Sequence, residues 1–107
     1  MSQYLLNETF AVEASAAEEW VKFMDAECMD MISGSDLCKS HIFSQIAHGD
    51  NEGALSYALQ IIFDSEEDMY HYNKQISPRI INKITTTFAG KFASFKTVMQ
   101  IIGRSGS

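Results

Sequence analysis

The sequence predicts an α+β fold of the ferredoxin-like kind: a βαββαβ sandwich with one four-stranded antiparallel sheet and two helices on one of its faces. Three observations predict it. Two stretches, 3–13 and 54–63, alternate apolar side chains at period two. Two helical patterns each follow one of these strands and open on hydroxyl-plus-acid starts. A polar segment with two glycines, His48 to Gly53, joins two strand-like stretches as a hairpin.

In the first strand, Tyr4, Leu6, Phe10 and Val12 share one side, with Glu8 interrupting them, while Asn7 and Thr9 point the other way. Ser15-Ala16-Ala17-Glu18 has the S-x-x-E form of a capping box, which satisfies free amides at a helix start. Trp20, Phe23, Met24 and Met31 then recur at helical spacing and read as core, and Ser33-Gly34 should end the helix with a left-handed glycine. Residues 37–47 read as a second strand with weaker alternation. Residues 54–63 form the clearest strand, with Leu55, Tyr57, Leu59, Ile61 and Phe63 on one face. Ser65-Glu66-Glu67-Asp68 opens the second helix, its acids facing the positive helix end. Pro78 should kink that helix or restart it with Ser77 as a new cap, and Ala89-Gly90 should end it. Residues 91–102 form the last strand.

With 107 residues and 46% hydrophobic content, the chain reads as one domain over residues 1–102, followed by a flexible tail at 103–107. Cys28 and Cys38 stand alone, without zinc or redox spacing, and read as free thiols. The N-terminus lacks the basic and apolar regions of a secretory signal, and no stretch approaches the ~18 apolar residues that span a bilayer, so the cytoplasm is the expected compartment and no membrane partner is expected. A net charge of -6 argues against nucleic acid as a partner. The charge is unevenly spread: all 14 acidic residues lie between Glu8 and Asp68, and six of the eight basic ones follow. Two neighbouring elements of opposite charge attracting each other would explain this. So would a basic site for a small anion in the C-terminal third.

A two-layer sandwich leaves one sheet face uncovered. If the richer apolar set meets the helices, that set includes Leu6, Phe10, Val12, Ile42, Ile46, Leu55, Tyr57, Leu59, Ile61, Phe63, Phe95 and Met99. The open face is then Leu5, Asn7, Thr9, His41, Phe43, Gln45, Ala58, Gln60, Ile62, Lys96 and Val98, too apolar for bulk water and best covered by a second copy of the chain. Asn7, His41, Gln60 and Lys96, from four different strands, form the candidate ligand-binding set on that face; a hydrogen-bond network between subunits would use the same residues. No metal or cofactor motif appears: Glu67 and His71 are four apart on one helix, which a solvated surface explains, and no serine elbow or phosphate loop is present.

The run Trp20 to Met24 (WVKFM) after a Glu-Glu pair, Ser56 to Ile61 (SYALQI), Pro78 within the second helix, and the ending Phe88 to Ile102 (FAGKFASFKTVMQII) resemble the small DUF4286 proteins over nearly the whole chain. The resemblance implies a ferredoxin-like shape similar to the dimeric α/β-barrel group, which includes monooxygenases of the antibiotic-biosynthesis type, haem-degrading enzymes and stress-response proteins. It supplies no reaction. It places polar or basic residues at Asn7, Gln60 and Lys96. Relatives often carry a His-Ile pair late in the first helix, where this chain has Cys28-Met29, so any site built on that histidine would be absent or altered here. Two functions are expected on this basis. One is a homodimeric domain binding a small ligand between its paired sheets. The other is a cofactor-independent enzyme, monooxygenase or isomerase, with His41 as base and Asn7 or Gln60 as anchors. A protein-partner role stays open beside them.

Overall fold

The computed structural model describes residues 2–47 and 53–104. In chain order they form β1 (Tyr4–Glu13), α1 (Ala14–Phe23), a π-helical turn (Met24–Cys28), α2 (Met29–Ser33), β2 (Ser40–Gln45), β3 (Ala54–Phe63), α3 (Glu66–Gln75), α4 (Ser77–Phe88) and β4 (Phe92–Gln100). The strands make one antiparallel sheet in the order β2-β3-β1-β4, and both helical arms cover the same face. This is the ferredoxin-like sandwich the alternation predicts.

The core lies between that face and the arms. β1 contributes Leu6, Phe10 and Val12, and β3 contributes Tyr57, Leu59, Ile61 and Phe63, all buried against Trp20, Met24, Ile32, Met69, Tyr72, Ile80, Ile84 and Phe88. Fully buried Trp20 gathers three rings around it, those of Phe10, Tyr57 and Phe43, at 5.1, 5.0 and 5.7 Å between centroids. Aromatic pairs at such distances add to plain area burial.

The helix ends differ from the expected ones in instructive ways. α1 begins at Ala14 with Glu13 as its cap residue and no side-chain cap, so Ser15 lies inside the helix and the capping box does not form. Ala14 instead donates its amide to Gly53 O at 2.9 Å, so the sheet's own connection satisfies the helix start. Ser65 does cap α3, accepting from the Asp68 amide at 3.1 Å. At Pro78 the second arm restarts, but Ile76 occupies the cap position without a side-chain bond. The Ser77 hydroxyl is engaged elsewhere, accepting from Lys96 Nζ. Gly90 follows the end of α4, where the helix is expected to stop, and has φ +75°, in the left-handed region. Gly34 is different: its φ is -81°, and a Cβ there would lie 2.8 Å from Asp30 O, so close approach, not handedness, demands glycine. The hairpin expected at His48 to Gly53 falls outside the described residues except for Gly53, which has φ +75°.

The first arm also departs from an α-helical pattern. Its buried positions are Ala17, Trp20, Met24, Cys28, Met29 and Ile32. On a regular α-helix each step of four residues drifts the face by about 40°. The π turn absorbs this drift and keeps Cys28 and Ile32 inward. Met31, expected in the core stripe, is displaced to the side of the arm and only half buried.

Candidate functional site

Three places in the fold group polar or titratable side chains in settings that bear on function. The first is the uncovered sheet face. Register places Ile42, Gln60, Asn7 and Thr97 in one row across all four strands, with Ile62, Leu5 and Met99 in the row on one side and Ala58, Thr9 and Phe95 on the other. Ile42, Phe95 and Met99 are 58%, 63% and 40% exposed. Asn7 donates to Thr9 Oγ1 at 3.0 Å, so the polar row stands among apolar groups with spare donors and acceptors.

This face differs from the predicted one at its edges. Asn7 and Gln60 are on it, directly opposite each other. His41 and Lys96 are not. His41 stands across from Ile61 and Lys96 across from Glu8, both on the helix side. Phe43, Gln45 and Val98 share that side, while Ile42, Ile46, Phe95 and Met99, expected under the helices, are bare. The four-residue constellation therefore reduces to the Asn7–Gln60 pair, with His41 and Lys96 on the other side of the sheet at its two opposite edges. The cause is that β2 and β4 are edge strands with apolar residues at both parities, so only pairing to the centre fixes which parity points inward.

The second place is the pair Glu8–Lys96. Glu8 is 4% exposed, in the middle of an apolar face. Burial raises its pKa above the ordinary 4.5, against the pull of Lys96 and of the Ser94 hydroxyl. Lys96 Nζ donates to Asn73 Oδ1 at 3.0 Å and to the buried Ser77 Oγ at 2.6 Å, tying edge strand β4 to the break between α3 and α4. Tyr72, also buried, has its phenol pushed up by burial and then by Glu8. Sequence reasoning passed over Glu8, although its signal was visible as a lone acid in the row Tyr4, Leu6, Phe10, Val12. Such a group needs a cation on the next strand, and that requirement would have turned Lys96 inward.

The third place is a groove between the helical arms. The arms meet at Phe23 and Phe88, with ring centroids 5.4 Å apart, and at Lys83 Nζ to Glu27 Oε1, 3.3 Å. Beyond these contacts they part around a cavity of about 560 Å³ bordered by Met31, Leu37, His71, Gln75, Ile76 and Arg79. His71, not His41, faces this space. Cys28 and Cys38 are free, and burial pushes each thiol up to about 11, so neither is a thiolate at neutral pH. Among the described residues no cluster of three His, Cys, Asp or Glu side chains could hold a metal, and no helix is long and apolar enough to cross a membrane.

Solved structures share this architecture at low identity. A dimeric ferredoxin-like protein from an uncultured marine organism superposes with a TM-score of 0.72 and 14% identity, covering 97% of this chain and 99% of that one. A variant of SnoaB, a cofactor-independent oxygenase from Streptomyces nogalater, gives 0.69 and 13%, covering 97% of each chain. A variant of MhuD, solved with two manganese protoporphyrin IX bound per active site, gives 0.73 and 12%, covering 97% of this chain and 99% of that one. These identities establish a shared fold and no shared chemistry. No curated protein is significantly similar to the chain in sequence. The DUF4286 family, a domain of unknown function, matches from residue 3 to residue 102, which takes in all four strands and both helical arms, and the chain belongs to that family.

Proposed function

We propose that the domain works as a homodimer, two sheets packed face to face, and serves as a small-ligand-binding module in that form. One observation carries the reading: the uncovered face presents exposed Phe95 and Met99 and half-buried Leu5 and Ile62 on either side of Asn7, Gln60 and Thr97, with exposed Ile42 at the end of that central row. Three strands of nine or ten residues and one of six, at ~3.3 Å per residue and about 4.8 Å apart, give a plan area of roughly 550 Å². Its corrugated accessible area approaches the ~800 Å² per partner of a stable interface. A two-fold axis through the middle row sets Asn7, Gln60 and Thr97 against their own mates. Polar groups there fix the register of the two sheets or line whatever space remains between them, as apolar contact alone would not. Two structural neighbours, both from uncultured marine organisms, are described as dimeric ferredoxin-like proteins, which supports the same assembly.

His41 as a catalytic base finds no support in its position, on the helix side of β2 and away from the row formed by Asn7 and Gln60. Lys96, held by Asn73 and Ser77, is likewise remote from a ligand between the sheets.

Sedimentation velocity at micromolar concentration tests the assembly. The wild type should sediment at twice the chain mass of 12.0 kDa. The double substitution Ile42→Lys with Phe95→Asp should sediment as a folded monomer with unchanged far-UV circular dichroism. A monomeric wild type, or a dimer indifferent to both substitutions, would overturn the proposal.

A further inference from the structure

The groove between the arms lies on the opposite side of the sheet from the proposed dimer face, so its occupancy does not depend on the assembly. Its floor is apolar, made by Met31 of α2, Leu37 of the following loop and Ile76 at the break between α3 and α4. Its second-arm rim carries His71, Gln75 and Arg79. A neighbouring hollow of about 380 Å³ shares Met31 and Arg79 with it and continues to Asn82 and Lys83, so Arg79 stands where the two spaces join.

The cations on this rim are not equivalent. Lys83 is bridged across the groove to Glu27 at 3.3 Å. Arg79, one turn earlier, has no carboxylate within 4.0 Å and no side-chain hydrogen bond among the described residues, although Asp30 borders the same cavity. The charge split between the two halves of the sequence is therefore neutralised across the groove at one point and left open at the next. A guanidinium offers a planar fork that matches a carboxylate with two parallel bonds. Gln75 and His71 add donors on the same rim, against the single carboxylate of Asp30. Apolar floor and forked cation together define an occupant with a charged head and an apolar body.

We propose that this groove binds a small amphipathic carboxylate, its head held by Arg79 and its hydrocarbon portion laid on Met31, Leu37 and Ile76. Titration of the ¹⁵N-labelled 107-residue chain with sodium octanoate, monitored by amide chemical shifts, tests this. Octanoate should move the signals of Gly34, Ser35, Leu37, Ile76 and Arg79 saturably. Octanol and inorganic phosphate, each lacking one half of the recognised chemistry, should bind at least tenfold more weakly. Arg79→Gln should weaken octanoate at least tenfold, and Arg79→Lys should fall between the two, since it keeps charge but loses the fork. Both change an exposed side chain and leave the fold intact. Lys22→Gln, on an exposed face of α1, should change nothing. Equal affinity in the wild type and Arg79→Gln, phosphate binding as tight as octanoate, shifts confined to Leu5, Phe95 and Met99, or no saturable shift at all would each overturn it. Translational diffusion in the same samples reports the oligomeric state separately.

Discussion

The central strands β1 and β3 and the edge strands β2 and β4 belong to one sheet but obey different rules. Each central strand has a buried side and a half-exposed side, and its alternation is clean: Leu6, Glu8, Phe10 and Val12 are buried while their neighbours are not. β4 is exposed at eight of its nine positions, and its large apolar residues Phe95 and Met99 point away from the core. In the centre, hydrophobicity marks where the helices are. At the edges it marks where something else must come. An apolar side chain is evidence of a covered surface, but the cover need not belong to the same chain.

The sharpest contrast is between two phenylalanines on adjacent strands. Phe10→Ala removes a fully buried ring beside Trp20 and should destabilise the monomer by about 3–5 kcal/mol, read by chemical denaturation. Phe95→Ala, with the ring 63% exposed, should cost the monomer less than about 0.5 kcal/mol. A large loss of monomer stability at Phe95 would erase the distinction between centre and edge. Next in size, Phe95→Asp should raise the dimer dissociation constant about a hundredfold, or about 2.7 kcal/mol, in a dilution series monitored by sedimentation.

Glu8 and Lys96 join the two regions, and pH separates them. Because the Glu8 carboxyl titrates above its ordinary 4.5 in the folded chain, the folded state holds a proton that the unfolded chain releases. Its contribution is complete below pH 4.5 and is lost as pH rises through the folded titration. Glu8→Gln should remove that fall and leave the protein at least as stable at pH 7. Lys96→Met withdraws the charge that holds Glu8 down and should steepen the fall. Melting temperatures across pH 4 to 8 decide it, and a flat wild-type profile counts against the assignment. Smallest in this series, Gly90→Ala should cost about 1 kcal/mol, because φ is +75° there while nothing lies within 4 Å of the added methyl. Its cost should therefore be the same in dimer and monomer.

The order of elements, the sheet's central faces, the Ser65 cap and the stop at Gly90 were legible in the sequence because each rests on local chemistry: period-two burial, a hydroxyl before free amides, a glycine after the last apolar helical position. The placement of His41 and Lys96 was not, because parity in an edge strand is a property of its partner's register. Lys96 could have been read correctly from Glu8, whose burial implied a nearby cation. The inter-arm groove was invisible for a different reason. Its lining comes from α2, a loop, α3 and α4, and it opens only because the two arms part beyond Lys83 and Glu27.

The π turn at Met24–Cys28 has a genetic consequence. Losing one residue from a helix ordinarily rotates everything downstream by about 100° and scrambles its buried stripe. Here the turn already holds one residue more than an α-helix would. Excising the exposed Ala26 should relax it to ordinary helical pitch while Trp20 and Ile32 keep their seats, so this segment tolerates a shortening that α4 would not survive.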